Sequence, residues 1–337
     1  MAGNDSAGAL EIEESVMKYW LLLLVMLVGC RPATEKPKVV VSGDEPKYDA
    51  AFWKTWGDGQ AELTSYDLIY PRYGVPRKGT AVAITVAETF SNSVRVKSDQ
   101  GVRPAKDEFP VMKLNLVEDF QTGIYDYNLQ LSAFVALSSV NGKPAGAPTK
   151  VTWSSQEWCG NLFKSALFNE SAIRVESHSY FDGEGDQEVI VRYPDLGISE
   201  DTLMLWARGM ARPVMKPGET RKVAMMLALQ ASRFKEGPAR WEETVLSRTD
   251  AGAELDEYKA VVGKRSRSFF VEKAAPHRVV RYESSEGVKA TMLASERMKY
   301  WQLNTPEGEK ELEKLKLNVV RPVGLGKKAA VNVEGLP

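Results

Sequence analysis

Apolar and polar residues alternate with a period of two along most of the chain beyond residue 60. Segment 125–137 places every second residue on one apolar face, and segment 111–120 repeats the pattern through Met112, Leu114 and Leu116. Because successive side chains of a strand point to opposite faces of a sheet, this pattern predicts half-buried antiparallel strands. About a dozen such segments occur, most of them separated by turn-forming pairs such as Asn141-Gly142.

Helical periodicity is confined to three short segments. Ala51, Phe52 and Trp56 have helical spacing, Ser199 can cap a helix over residues 200–210, and Thr305 precedes a third candidate helix. The chain lacks the alternating helices that a doubly wound α/β fold needs. The pattern therefore predicts an all-β or β-dominated fold with one or more large antiparallel sheets, as an open barrel or a sandwich, and two or three short helices.

The amino-terminal region contains the longest apolar run, the ten residues 19–28. A helix that crosses a bilayer needs about 20 apolar residues, so this run is too short for a settled membrane span. Lys18 precedes the run and Cys30 follows it, in the order of a secretory signal peptide. Residues 1–16 carry four acidic side chains, which favours Met17 as the true start. An uncleaved signal anchor is the alternative.

These patterns divide the chain into four predicted parts. Residues 1–30 form the signal peptide ending at Cys30, and residues 31–47, which are polar and rich in proline, form a flexible tether. Residues 48–304 form the β-rich domain, with a candidate internal boundary near residues 196–220, where a helix and a Pro/Gly stretch interrupt the strands. Residues 305–337 form a carboxy-terminal helix and tail.

Charge and composition exclude several classes of function. The 44 basic and 45 acidic residues give a net charge of −1, so no basic surface for nucleic acid is indicated. Gly57 and Gly59 lack the third glycine and the preceding strand of a dinucleotide-binding loop. His178 and His277 are the two histidines, too few for an ordinary zinc site. We therefore expect no nucleotide, no metal and no other cofactor.

Cys159 is the candidate nucleophile. It would be the one thiol left after lipidation of Cys30, so no internal disulfide is expected. Residues 157–168 fit helical spacing, and a cysteine at a helix start has a lowered pKa. The same segment is equally compatible with two short strands, and single cysteines are commonly buried. A thiol hydrolase using Cys159 and His178 is therefore the alternative to a non-catalytic protein.

Two further features have a functional and a structural interpretation. Asp182, Glu184 and Asp186 have the spacing of calcium ligands, but Gln187 and Tyr193 occupy the positions that need glycine and glutamate, which favours a hairpin tip. Methionines and aromatic residues could contact an apolar or glycan ligand or fill the core. The candidates are Met204, Met210, Met215, Met225 and Met226, and the groups Phe52/Trp53/Trp56, Trp153/Trp158 and Tyr300/Trp301.

Several motifs carry a resemblance to known families. Residues 27–30, Leu-Val-Gly-Cys, resemble the lipobox of bacterial lipoproteins, and "WGDGQAELTSYDL", "LNLVEDFQTGIYDYN", "SSQEWCGNLF" and "HSYFDGEGD" resemble a family of envelope lipoproteins with no assigned activity. "FVEKAAPHRVVRYESSEG" is similar to closing hairpins of periplasmic β-rich domains of unknown function. Relatives of this kind are sometimes labelled septum formation inhibitor, but this chain lacks the opening motif of the nucleotide pyrophosphatases that bear that label.

The resemblance implies that diacylglycerol on the sulfur of Cys30 anchors the protein to a membrane, and it supplies no catalytic residues. We therefore expect a lipid-anchored, periplasm-facing envelope protein that binds an apolar or glycan ligand or assists envelope assembly. Arg31, rather than aspartate, follows Cys30, which by analogy favours the outer membrane. A purely structural envelope component is a further alternative, and it would lack a cavity. The pattern does not indicate an oligomeric state.

Overall fold

The computed structural model describes residues 44–231 and 239–318. The predicted signal peptide, Cys30 and the tether up to residue 43 lie outside the described residues, as does the tail from residue 319. The described residues belong to one compact unit.

The described residues contain 15 strands, joined in one sheet. All neighbouring strands are antiparallel except β9 and β10, which are parallel. The strands are β1 (Ala61–Arg72), β2 (Val75–Ser91), β3 (Glu108–Thr122), β4 (Tyr125–Ala136), β5 (Pro148–Glu157), β6 (Gly160–Phe168), β7 (Ala172–Ser179), β8 (Gln187–Arg192), β9 (Ile198–Ser199), β10 (Thr220–Met226), β11 (Trp241–Asp250), β12 (Leu255–Val262), β13 (Arg265–Glu272), β14 (Val279–Ser284) and β15 (Lys289–Met298).

The strand order explains how the two halves of the chain meet. Consecutive strands pair from β1 to β8 and again from β9 to β15, and β1 pairs with β15 to join the halves. Ala61 lies opposite Met298 at one end of this junction. The predicted β-dominated, antiparallel fold is therefore confirmed.

Contacts between distant strands show that the sheet curls. Four steps of about 4.8 Å would separate β3 from β14 in a flat sheet, yet the hydroxyl of Tyr282 in β14 donates a hydrogen bond to Glu118 in β3 at 2.8 Å. Near the two edges, the ring of Tyr193 stacks on Trp241 with 6.2 Å between centroids. A Cβ on Gly197 would lie 2.5 Å from the Trp241 ring, so this close approach requires glycine. The curled sheet consequently has an enclosed inner face.

Two α-helices occur in the described residues, and both were predicted. Helix α1 (Ala50–Trp56) begins where the side chain of Asp49 accepts a hydrogen bond from the backbone N–H of Phe52. Helix α2 (Leu203–Ala207) follows a 3-10 turn, Glu200–Thr202, that Ser199 caps through the N–H of Asp201. The predicted carboxy-terminal helix is a 3-10 helix, Pro306–Leu315, and shorter 3-10 turns cover Ala105–Asp107 and Tyr300–Gln302.

Helix α2 and the loop after it fill part of the interior. All five residues of α2 are buried, and the Trp206 ring meets Tyr258 edge-on at 5.3 Å. Arg208 is also buried, where its guanidinium forms an ion pair with Glu62 at 2.7 Å and donates to Thr85. A buried ion pair is tolerated because these partners replace its lost hydration. Arg208 thereby ties the loop to β1 and β2.

Candidate functional site

A cavity of about 490 Å³ lies on the inner face of the sheet. Strands β3, β4 and β5 form one wall, and β13 and β14 form the opposite wall. Tyr70 of β1, residues 200–204 and 228–231, and the loop residues Glu286 and Val288 complete the lining. Small-molecule sites are commonly cavities of about 300–1,000 Å³ with mostly apolar walls. The size and position of this cavity therefore make it the candidate functional site.

The wall from β3, β4 and β5 is apolar. Five large side chains, Leu114, Leu116, Leu129, Leu131 and Trp153, line it. Leu116 lies opposite Leu131 in the β-ladder, and Leu131 lies opposite Trp153. Because side chains two residues apart share a face, the alternation along these strands directs all five inward.

A smaller hollow of about 20 Å³ adjoins the cavity, with which it shares Tyr70, Leu129, Trp153 and Gln230. Three aromatic rings are stacked beside it. The rings of Tyr70 and Phe120 lie 4.5 Å apart, and those of Phe120 and Tyr127 lie 5.2 Å apart. The aromatic stack extends the apolar surface of the cavity.

Glu200 is the centre of the main polar group in the cavity. Its Oε1 accepts hydrogen bonds from Arg265 and Arg267, both at 2.6 Å, and its Oε2 accepts one from the N–H of Ala228 at 2.9 Å. Arg265 also donates to Glu286 at 2.7 Å. Burial alone would raise the pKa of Glu200, but the two guanidinium charges outweigh it, so the pKa is lowered. Glu200 is therefore an ionised, fully bonded carboxylate.

Asp201 has a different environment from its neighbour. Its carboxylate accepts a hydrogen bond from the N–H of Leu229 at 3.0 Å, and the residue is buried. Burial raises the pKa of Asp201 to about 7, and the nearby charge of Glu200 adds to the rise. Residues 200 and 201 begin the predicted helix, and in the structure their carboxylates also hold the backbone of residues 228 and 229.

Two further polar pairs line the cavity. The hydroxyl of Tyr282 donates to the carboxyl of Glu118 at 2.8 Å, and burial raises the pKa of both groups. Gln230 donates to the hydroxyl of Tyr70, whose pKa burial raises to about 12. These bonds satisfy polar atoms that would otherwise oppose entry of an apolar molecule.

The methionines predicted to contact a ligand lie in different parts of the structure. Met204 lines the cavity, whereas Met210, Met225 and Met226 are buried in the hydrophobic core away from its lining. Met215 lines a separate hollow of about 160 Å³ next to Trp206 and Arg208. Of the five candidate methionines, Met204 is therefore the one that lines this cavity.

The aromatic candidates also divide between the cavity and other places. Trp153 lines the cavity, while Trp158 is 69% exposed in the turn between β5 and β6. Phe52 and Trp56 pack against each other at 6.5 Å in α1, outside the cavity lining. Tyr300 and Trp301 form an edge-on pair in the 3-10 turn near the carboxy terminus. Of these groups, Trp153 is therefore the member that could contact a ligand.

The structure does not bring Cys159 and His178 together. Residues 157–168 contain the end of β5, the turn with Cys159 and the single strand β6, so the segment is extended as the alternative proposed, although not as two short strands, and the predicted helix start at Cys159 is wrong. His178 lies opposite Phe163 in the ladder, about four strand residues or ~13 Å from Cys159. A hydrogen bond from the thiol to Glu157, together with the charge of that residue, raises the pKa of the Cys159 thiol instead of lowering it. The geometry gives no support to a thiol hydrolase.

The acidic residues 182–186 form the predicted hairpin tip between β7 and β8. Asp186 contacts the ring of His178 at 3.1 Å. Within the described ranges, no cluster of three or more His, Cys, Asp or Glu side chains could hold a metal ion.

The helices in the described ranges are too short or too polar to cross a bilayer.

Glu118, Arg265 and Arg267 are site residues that the sequence analysis missed. Glu118 could have been identified from the sequence, because Leu114, Leu116 and Glu118 share one face of β3. An acid therefore stands on the buried face, where an apolar residue is expected. The two arginines also share one face of β13 with Phe269. The curl of the sheet brings these arginines into contact with Glu200. The alternation of apolar and polar residues does not predict that curl.

No protein-family model and no curated protein matches the chain. Among solved structures, the chain is similar to a β-barrel-like protein of a domain of unknown function, DUF1849, from Brucella abortus, with 8% identity and a TM-score of 0.40. The alignment covers 71% of this chain and 98% of that one. The predicted membership of an envelope lipoprotein family stays a prediction.

Proposed function

We propose that the protein is a non-catalytic component of the cell envelope, anchored by lipid on Cys30, whose β-sheet domain binds an apolar ligand in the cavity. The cavity beside the five apolar residues of β3, β4 and β5 carries this proposal. A purely structural component would have no need of such a space. The mainly aliphatic wall favours an apolar ligand over a glycan, which needs many hydrogen-bonding partners.

The cavity offers enough apolar surface for useful binding. Each methylene group transferred from water gains about 0.8 kcal/mol, so a chain of about eight methylenes would gain roughly 6 kcal/mol. Part of this gain is lost because binding restricts the ligand and the side chains around it. We therefore expect weak to moderate affinity for a short alkyl chain and tighter binding of a longer one.

Titration with N-phenyl-1-naphthylamine, an uncharged dye that fluoresces in apolar surroundings, tests the proposal. Leu131→Trp fills part of the cavity, and Gln130→Trp is the matched control because Gln130 is exposed on the other face of β4. We expect Leu131→Trp to weaken dye binding about tenfold or more, a change of ~1.4 kcal/mol, and Gln130→Trp to leave it unchanged. Equal binding by both variants and the parent protein would contradict the proposal.

The lipid anchor needs a separate test. We expect the protein to incorporate labelled palmitate in cells and to sediment with the membrane fraction, because acyl chains bury many methylenes in the bilayer. Cys30→Ala should abolish incorporation and release the protein from membranes. Unchanged fractionation of Cys30→Ala would refute the anchor while leaving the cavity proposal intact. Separation of inner and outer membranes would then test the expected outer-membrane location.

A further inference from the structure

The charges that face the cavity are not balanced. Five acidic residues and two arginines line it: Glu118, Glu200, Asp201, Glu283, Glu286, Arg265 and Arg267. A charged ligand that enters such a space loses much of its hydration, so the sign of the surrounding charge affects its affinity strongly. Burial raises the pKa of Asp201 and of Glu118, but even when both hold a proton three acidic residues remain beside two arginines, and this excess disfavours a negatively charged ligand.

Both arginines are already held by carboxylates. Arg265 donates to Glu200 and to Glu286, and Arg267 donates to Glu200. The Glu200 side chain is only 2% exposed, so an incoming anion could not displace it without leaving a buried charge unpaired. Displacement of Glu200 by an anionic ligand is unfavourable because it breaks a buried ion pair. The arginines are therefore poor receptors for a carboxylate-ended ligand.

Three of the lining carboxyls, those of Asp201, Glu283 and Glu118, form no ion pair with the described residues, and Glu118 is the one that lies on a strand of the apolar wall. Among the described residues, the Tyr282 hydroxyl is its hydrogen-bond partner, and no Lys or Arg forms an ion pair with it. Leu116 precedes it on the same face of β3, and Leu129 lies opposite it on β4. The ring of Phe269 and the phenol of Tyr70 also face the cavity. A carboxyl with apolar and aromatic neighbours suits an ammonium group, which gains both ion pairing and cation–π contact.

We propose that the cavity takes an amphiphile with an ammonium end in preference to one of equal chain length with a carboxylate end, and that Glu118 is the counter-ion. This inference rests on the proposed function, because the apolar wall must first hold the chain. An alcohol of the same length should bind through the wall alone and should not depend on Glu118.

Several neighbouring groups affect the pKa of Glu118. Burial raises its pKa, the hydrogen bond from Tyr282 of β14 and the charge of Arg267 of β13 oppose the rise, and Asp119 of its own strand adds to it. The charge of Glu118 in turn raises the pKa of Tyr70 of β1. An ammonium group near Glu118 would favour the ionised carboxylate, so binding releases any proton held there.

Competition with the bound dye tests the inference on the full chain. Decylamine, decanol and decanoate, each below its micelle-forming concentration, are added as competitors of N-phenyl-1-naphthylamine to the parent protein, to Glu118→Gln and to Asp67→Asn. Asp67 is the control because it is an exposed acid on β1 outside the cavity lining. We expect decylamine to bind at least about tenfold tighter than decanoate. Glu118→Gln should remove about tenfold of that affinity and leave decanol unchanged, whereas Asp67→Asn should change neither.

The outcomes separate the two proposals. If decanol displaces the dye but decanoate binds as well as decylamine, or if Glu118→Gln leaves decylamine binding unchanged, the charge preference is refuted and the apolar site stands. If none of the three compounds displaces the dye and the dye itself does not bind, the proposed function fails and the charge preference fails with it.

Discussion

Asp201→Asn should stabilise the protein in a strongly pH-dependent way. Asp201 is buried, and its carboxylate accepts one hydrogen bond, from the N–H of Leu229. The asparagine carbonyl can accept the same bond, and the amide has nearly the same shape as the carboxyl. The substitution therefore removes the ionisation of residue 201 and leaves its packing in place.

The pKa of Asp201 gives the size and the sign of the effect. Burial raises that pKa from 3.8 to about 7 in the folded protein. At a pH between these values the folded state holds a proton that the unfolded state has lost, so the stability falls as pH rises through this range. A difference of about three pKa units corresponds to about 4 kcal/mol. Relative to the parent protein, Asp201→Asn should therefore gain up to about 4 kcal/mol between pH 4 and pH 8.

Urea denaturation at several pH values measures this difference. Asp67→Asn, at an exposed position of β1, is the control for loss of a carboxyl that has no buried environment. We expect the free energy of unfolding of Asp201→Asn to approach that of the parent protein near pH 4 and to exceed it above pH 7. A difference that stays constant from pH 4 to pH 8 would refute the assigned environment of Asp201.

Three further predictions test the polar network, the packing at the sheet edges and the candidate thiol. Glu200→Gln leaves Arg267 without its carboxylate and Arg265 with Glu286 alone. We expect a loss of about 2–4 kcal/mol in urea denaturation, and a loss below about 1 kcal/mol would count against the network. Gly197→Ala places a Cβ 2.5 Å from the Trp241 ring and should lower the free energy of unfolding by about 1–3 kcal/mol. Adding Trp241→Leu should recover part of this loss, and fully additive effects of the two substitutions would argue against the contact. Glu157 raises the pKa of the Cys159 thiol, so Glu157→Gln should increase the fraction of thiolate and speed its alkylation by iodoacetamide near pH 8. An unchanged or slower rate would be inconsistent with this effect of Glu157.

Alternation of apolar and polar residues predicted the strands well because each strand has one buried face. In β4, for example, Tyr127 and Leu129 are buried while Asn128 and Gln130 are exposed. The pairing of β1 with β15 could not be predicted in this way. Alternation fixes which face of a strand is buried but says nothing about its neighbour, so two strands more than 200 residues apart can meet without any local signal.

The site was harder to predict than the fold, for the same reason. Its walls come from β3, β4, β5, β13 and β14, which the curl of the sheet brings together. The methionine hypothesis relied on closeness in sequence, and proximity along the chain placed only Met204 in the lining. In residues 157–168, the apolar spacing fitted a helix and two short strands equally. Only the pairing of β5 with β6 shows that Cys159 lies in a turn.

A crystal structure of the protein grown with 10-bromodecanol would show whether an alkyl chain occupies the cavity. Anomalous scattering locates the bromine without assumptions about the rest of the ligand. We expect a bromine peak inside the cavity, in van der Waals contact with the wall that includes Leu116, Leu131 and Trp153. Bromine found only on the outer surface, with the cavity holding water alone, would contradict it.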